Sequence, residues 1–390
     1  MGDPAADWLA IAELGVAVEE DLPLRLARAD TQRRTRNELQ HFSKVYLSQP
    51  AHAAPGDDED FVAQLRSASE RLARWQTDGK VAQSPTAEMQ WQGLLGGPLG
   101  RGDAELALAG ADPLPSDTAY DYAIRLLCNS TEIRYPDYAQ RLQARLAAVS
   151  GRGRPLRVLS LCCGTGRMEA ELAQTTGAAA HWTLQDMNPL LLERALRRFS
   201  EEVPVRPWVG DANQLKAGGA RWDVILCASA LHHLVELEQV AAFVADSLED
   251  DGEFWSVGEA VGRNGNRLWP EARGIVDALF AALPAQYRIN AYTGRADATL
   301  PDRDFSVGTF EGIRSEEVLH LLSRWLEPTE LQVWNCFLWR MLDAAYVRNY
   351  DLSLAADRAL IQDMVRAEIS HYRSGGRGTE LYGFYRRRRH

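Results

Sequence analysis

Residues 163–166 read Cys-Gly-Thr-Gly, behind a short apolar run at 157–162 (RVLSLC) and ahead of a helical pattern at 167–175. A buried strand, a glycine turn and a helix in that order form the first half of a βαβ unit. Gly164 and Gly166 let the backbone approach a ligand, and the helix N-terminus behind them favours negative charge. Such a turn equally serves tight strand-to-helix packing, so its neighbours must decide. Asp186 ends the next apolar run, where one carboxylate can accept from both hydroxyls of a vicinal diol such as a ribose. Asn188 and Pro189 behind it suit an N-cap and a first helical residue. Asp211, in the sequence Val209-Gly210-Asp211-Ala212, follows a third run and suits the exocyclic amine of an adenine. Each aspartate alone reads equally as a cap or a solvated charge. Three such features at the ends of three successive strands point to a nucleoside cofactor, because open α/β sheets bind ligands at that edge.

A nicotinamide dinucleotide requires G-x-G-x-x-G around its pyrophosphate. From Gly164 the pattern runs Gly, Gly, Glu169, and from Cys162 it runs Cys, Gly, Arg167, so neither register completes it. Glu169 beside a pyrophosphate is also repulsive. S-adenosylmethionine carries no phosphate and tolerates both. Beyond a fourth run at 222–227 stand His232 and His233, whose resting pKa suits a general base, with packing or loop orientation as the alternative. Glu259, after a fifth run at 253–257, reads as a substrate or base contact, or as a cap. Trp269, Tyr287, Tyr292 and Arg314 lie in segments expected to cross the same edge, where aromatic faces suit a cation or an acceptor ring. Tyr120, Arg134, Tyr135 and Tyr138 approach the sheet earlier in the chain. Arg134 suits a carboxylate partner or a surface ion pair. The five cysteines form no metal-type pair, and no metal site is expected.

The elements that must position these residues follow from the same pattern. The five runs at 157–162, 181–185, 205–209, 222–227 and 253–257 alternate with helical patterns at 167–175, 189–199 and 235–248. That alternation predicts a doubly wound, mostly parallel α/β sheet. Residues 331–338 and 381–386 are two late strands that close one edge. Upstream, helical spacing at 8–47 and 61–75 flanks an acidic loop at 51–60, a Gly/Pro/Asp-rich linker spans 93–115, and 116–149 returns to helix. The division is a mainly helical region 1–115, serving as a lid or a homodimer surface, and a cofactor-binding domain 116–390. The net charge of -11 argues against a nucleic-acid or anionic-membrane partner. The basic tail at 386–389 reads as a solvated terminus. No apolar run approaches the roughly 20 residues of a membrane span, and no leader pattern is evident, so a cytoplasmic protein is expected.

Residues 157–260 resemble the class I S-adenosylmethionine-dependent methyltransferases. VLSLCCGTGR is similar to that family's glycine-rich first motif, VLDLGCGTGR, and LQDMNP to its ribose-binding turn. GDA is similar to the adenine-binding turn, WDVILCASALHHL to the fourth strand and the start of the next helix, and LEDDGEFWSVGE to the segment through the fifth strand. The resemblance implies a seven-stranded Rossmann-like sheet, S-adenosylmethionine as cofactor, and methyl transfer to an acceptor. A small molecule is the expected acceptor, methylated on oxygen or nitrogen, with natural-product tailoring as the setting. By position, it places Ser160, Cys162, Gly164 and Gly166 at the methionine end; the carboxylate partner suited to Arg134, outside the resembling segment, is then that of the methionine. Asp186 and Met187 then hold the ribose and flank the adenine, Asp211 and Ala212 hold the adenine, and Cys227 lies beneath the sulfonium. Two positions depart from the family: Ser160 replaces an acidic residue, and Cys162 replaces a glycine. The stretches GEAVGRNGNRLW and GIRSEEVLHLLSRWLE resemble a bacterial subset with a helical insertion between the last two strands, here 343–378, forming part of a lid. The alternatives are a non-catalytic cofactor-binding scaffold and an NAD-dependent oxidoreductase.

Overall fold

The computed structural model describes residues 31–47, 58–78, 112–115 and 117–388. The helical spacing at 8–30, most of the acidic loop and linker, and the last residue of the basic tail lie outside them. Five parallel strands come first: β1 (Leu156–Leu161), β2 (Ala180–Asp186), β3 (Val205–Val209), β4 (Trp222–Ala228) and β5 (Leu248–Ala260). A separate two-strand hairpin, β6 (Ile289–Asn290) and β7 (Arg295–Ala296), precedes β8 (Leu326–Trp334) and β9 (Glu380–Arg387). The main sheet has the order β3-β2-β1-β4-β5-β9-β8, with β9 antiparallel to both neighbours.

Six of the seven residues of β4 are buried, which the apolar run at 224–228 anticipates for a strand covered on both faces, and the buried Asp223 is paired with Arg154. Side-chain alternation divides the interior in two. Val158, Val224 and Trp255 face one core, and Leu159, Ile225 and Phe254 face the other. The first core is closed by α3 (Ala119–Ser130), α4 (Tyr138–Ser150), α5 (Arg167–Thr176) and α6 (Pro189–Leu196). The second is closed by α7 (Leu237–Ser247) and α9 (Ser315–Trp325). Between them in sequence, α8 (Pro270–Ala282) and the β6–β7 hairpin fill an excursion at 261–314 that the sequence pattern left unassigned.

The single helix expected at 116–149 is two. Pro136 disfavours helical backbone at the residue before it, and each helix has its own start: a capping box at Thr118 and Asp121, and an Asp137 N-cap. The strand expected at 331–338 runs 326–334 instead, and the chain leaves it at Asn335 with φ +58. The insertion between β8 and β9 starts correspondingly earlier, with α10 (Leu338–Met341), and continues through a short 3-10 turn into α11 (Ala355–Arg373). Asp58, Glu59 and Asp60, expected in the acidic loop, open α2 (Asp58–Asp78).

The described N-terminal helices dock on the sheet domain. α2 is tied to α6 by the pair Arg71–Glu193, with contacts of 2.6 and 3.0 Å. α1 (Thr31–Leu47) crosses the C-terminal edge of the parallel strands. There Asn188 donates to Ser43 at 2.8 Å, Arg34 donates to the Thr309 carbonyl at 2.7 Å, and Asn37 to the Gly308 carbonyl at 2.9 Å. Among the described residues no helix is long and apolar enough to cross a membrane.

Candidate functional site

The chain steps from β1 outward to β2 and β3, then returns past β1 to form β4. That reversal opens a crevice beyond the C-terminal ends of β1 and β4, the place where doubly wound sheets take ligands. The Cys162–Gly166 turn stands in it, with Cys162, Gly164 and Gly166 at φ of 52, 54 and 62. The glycine of the family motif at position 162 is thus explained by a left-handed backbone, which Cys162 occupies at a cost of roughly 1–2 kcal/mol. Gln185, fully buried, holds the turn in place. Its side chain accepts the Cys162 N–H at 3.1 Å and donates to the Gly210 carbonyl at 2.6 Å, so one residue couples the turns after β1 and β3. The sequence reading passed over Gln185 because a polar residue one place before a strand end carries no signature of its own.

The two glycines do different work. A Cβ at Gly164 meets nothing within 4 Å, so the turn faces open space there, room for a ligand lying against the backbone. A Cβ at Gly166 lands 2.6 Å from Cβ of Ala195 on α6. Helix packing by itself therefore requires a glycine at 166, whereas at 164 the open space is what a ligand would use. Gly164→Ala is therefore expected to cost about 1–2 kcal/mol of stability from φ alone while sharply weakening nucleoside binding. Gly166→Ala adds a core clash to the same strain, about 1–3 kcal/mol more. Urea unfolding beside ligand titration separates the two, and equal stability loss in both variants refutes the distinction.

Asp186 accepts N–H bonds from Gly164 and Asn188, each at 2.8 Å, one on each carboxylate oxygen, which leaves lone pairs on both for a diol. Burial raises its carboxyl to about 6, against the lowering effect of these N–H groups. Met187 beside it is half-buried. Asp211 caps the short turn after β3, accepting from the Asn213 backbone and side chain at 2.9 Å each, and Ala212 is buried behind it. Beneath the first turn, the Ser160 hydroxyl donates to Glu169 at 2.6 Å, and both are buried. The carboxylate that Ser160 lacks is thus supplied from α5. Its spacing, nine residues on, was read only as a charge against a pyrophosphate. Cys227 is fully buried in the floor, and burial pushes its thiol up. Ala228 and Ser229 are the residues that surface at that strand end.

At the end of β4, His232 and His233 lie inside a set of carboxylates. His232 Nδ1 is 2.5 Å from Glu259 and its Nε2 is 3.3 Å from Glu311. His233 Nδ1 is 3.0 Å from Glu38 of α1, and its Nε2 is 3.3 Å from the other oxygen of Glu311. Glu259 is buried and accepts the N–H groups of Ala230, Leu231, His232 and Ala260. Burial lowers His232, but Glu259 and Glu311 outweigh it and raise the ring to about 10. Burial likewise opposes, and Glu38 drives, an upward shift of His233. Both ring nitrogens of His232 are turned to carboxylates, so neither faces an acceptor to take its proton, and Glu259 anchors the ring and the surrounding backbone. Glu38 and Glu311 escaped the sequence reading because each joins the histidines from a remote segment.

The remaining candidates are engaged elsewhere. Arg134 caps the end of α3, donating to the carbonyls of Cys128, Thr131 and Ile133, in place of the expected carboxylate. Arg314 forms paired bonds with Glu238 and Glu317 and staples α9 to the start of α7. Tyr292 is 39% exposed in the β6–β7 turn. Trp269 donates to the Gly378 carbonyl at 3.4 Å under the Arg377 guanidinium, and Tyr287 donates to Asp357 at 2.7 Å. Trp269 and Arg314 thus have structural partners of their own, and Tyr292 stands exposed in a turn. Tyr138 packs on Trp255 and Phe384. Tyr120 and Tyr135 instead join Asn335, Glu380 and Tyr382 beside Gly258 at the end of β5, an aromatic group around one buried carboxyl.

Residues 158–252 match a family model described as a methyltransferase domain. Among curated proteins there is no match. Among solved structures, the TehB-like SAM-dependent methyltransferase of Corynebacterium glutamicum is 15% identical, over 65% of this chain and 100% of its own, at a TM-score of 0.31. N-methyltransferase NodS of Bradyrhizobium japonicum is 14% identical over 65% and 98%, at 0.31. The O-methyltransferase of a trans-AT PKS multienzyme of Brevibacillus brevis, in complex with S-adenosyl-L-homocysteine, is 14% identical over 63% and 71%, at 0.34. No residue role follows from likenesses of that size. The matched segment begins in β1, runs through both turns and the histidines, and ends in β5, so residues 158–252 carry a methyltransferase domain.

Proposed function

We propose that the chain transfers the methyl group of S-adenosylmethionine to oxygen or nitrogen of a small molecule, as in natural-product tailoring. The observation that carries this reading is the open face of Gly164 beside a carboxylate whose two oxygens retain free lone pairs. Asp186 takes the ribose hydroxyls, Met187 and Ala212 flank the adenine, and Asp211 accepts from its amine. The Ser160–Glu169 pair sits below the methionine end, and Cys227 forms part of the floor. The bound cofactor supplies an electrophilic methyl on a sulfonium. The protein's part is then alignment, since in-line displacement is governed by the geometry of nucleophile and leaving group. With both ring nitrogens of His232 occupied by carboxylates, an acceptor whose lone pair is available at neutral pH, an amine or an acidified hydroxyl, suits the site. Two features favour a small acceptor. α1 roofs the edge through Ser43 and Glu38, and a net charge of -11 repels polyanions. Because α1 and α2 use faces against α6 within the chain, the lid reading of 1–115 is preferred to a homodimer surface.

Calorimetric titration with S-adenosylmethionine, S-adenosylhomocysteine and NAD in parallel tests the cofactor assignment. Micromolar binding of both sulfur compounds and none of NAD is expected. Turnover to S-adenosylhomocysteine with an amine and phenol panel then separates an enzyme from a scaffold; binding without turnover on any acceptor overturns the catalytic reading.

A further inference from the structure

We propose that His232, His233 and Glu311 bind a divalent transition-metal ion, with zinc the best match, clipping α1 and the loop at 308–314 to the end of β4. One ligand atom from each of the three lies within 4.8 Å of the others. The two Nε2 atoms each stand 3.3 Å from an oxygen of the same Glu311 carboxylate. That is long for a charge-assisted hydrogen bond, which runs about 2.7–2.9 Å. It matches the edge of a tetrahedron with metal–ligand bonds of about 2.0–2.1 Å, which is about 3.3 Å.

The outer nitrogens strengthen the case. Each Nδ1 meets its own carboxylate, Glu259 at 2.5 Å and Glu38 at 3.0 Å. A histidine that ligates a metal through one nitrogen characteristically donates from the other to a carboxylate, which fixes the tautomer with its lone pair inward. These carboxylates are themselves fixed, Glu259 by four backbone N–H groups and Glu38 by the Phe310 N–H at 2.6 Å. Asn266 donates to Glu311 at 3.1 Å. Two neutral imidazoles among three carboxylates, the buried Glu38 and Glu259 and the partly buried Glu311, leave a charge that a dication offsets. Imidazole with one carboxylate suits zinc above magnesium, and three protein ligands leave a position for water. The competing arrangement is a metal-free ion-pair network of two imidazoliums, and the two make different predictions.

The full chain, stripped with chelator and free of added cofactor, is titrated with Zn²⁺ by calorimetry and with Co²⁺ by visible absorption. One equivalent of Zn²⁺ is expected, with four- or five-coordinate Co²⁺ bands and no comparable uptake of Mg²⁺. His233→Ala and Glu311→Gln each abolish the Co²⁺ bands, the latter keeping the Asn266 bond so that folding, read by circular dichroism, is preserved. Glu38→Gln weakens uptake by about 10–100-fold, as loss of an outer carboxylate does. Asp363→Asn, in an exposed pair with Arg366, leaves it unchanged. Absence of stoichiometric uptake by the unmodified chain, or unchanged bands in His233→Ala, overturns the proposal. Because no cofactor is present, either result stands apart from the methyl-transfer assignment.

Discussion

Asp186→Asn is expected to weaken S-adenosylhomocysteine binding by about 100-fold or more near neutral pH, with the fold retained. Hydrogen bonds to a charged acceptor contribute about 1.5–3 kcal/mol each, and two of them exceed the roughly 2.7 kcal/mol that a hundredfold change represents. Asparagine keeps the volume, but its amide group offers only one acceptor oxygen where the Gly164 and Asn188 N–H groups use two. The unmodified chain carries a pH signature with a definite sign. Burial lifts the carboxyl from 3.8 to about 6, so ionising it costs the unliganded fold stability as pH rises through that window. The ligand's hydroxyls bind the ionised form. Affinity is therefore full above about pH 6 and declines toward tenfold per unit below it, whereas Asp186→Asn shows no such step. Calorimetry across this range reads both effects. Affinity within about threefold of the unmodified chain would remove Asp186 from the ribose site, because a single hydrogen bond lost there already exceeds that change.

Glu259→Ala should be the most destabilising single change at the strand ends, about 3–5 kcal/mol. It removes the acceptor for four backbone N–H groups and uncovers the His232 ring in a fully buried position. Unpaired buried donors each cost about 1–3 kcal/mol, although water entering the vacated space recovers part of this. Glu259→Gln retains an acceptor oxygen and is expected to lose about half as much. The urea midpoint of unfolding, taken without cofactor, ranks the two. An alanine variant as stable as the parent would mean that the turn after β4 is held by other contacts.

The strands that build the crevice were readable because each is a short apolar run bounded by turn residues. β3 at 205–209 coincides with its sequence assignment, and β1, β2 and β4 differ by one residue at one or both ends. The positions of Asp186 and Asp211 were readable for the same reason: a carboxylate within two residues of a strand end has its location set by the strand. The packing role of Gly166 was offered by the sequence only as one of two readings, because its neighbour Ala195 lies in another helix. Glu169 was legible as a charge but not as the partner of Ser160, since one is on a helix and the other on a strand. Glu38 and Glu311 reach the histidines across 195 and 78 or more residues, a distance at which no local spacing has meaning. Arg314 failed in the opposite direction. A lone arginine attracts a ligand role until Glu238, on a helix 76 residues away, is seen to occupy it.

The position of β9 has a consequence for how the chain is made. It pairs with β5 on one side and β8 on the other, and it follows both in sequence. During vectorial synthesis, β1 to β5 emerge and can pair in parallel while the outer edge of β5 stays open. β8 then emerges with no partner at all. The 45 residues at 335–379, including α11, are translated before β9 arrives to join the two. An open strand edge is a template for pairing with another chain, so nascent copies on one message are exposed to cross-pairing during that interval. Slow codons or a stalled ribosome within the insertion should then lower the soluble yield more than the same delay placed before β5, because only there is a half-built sheet left waiting for its keystone.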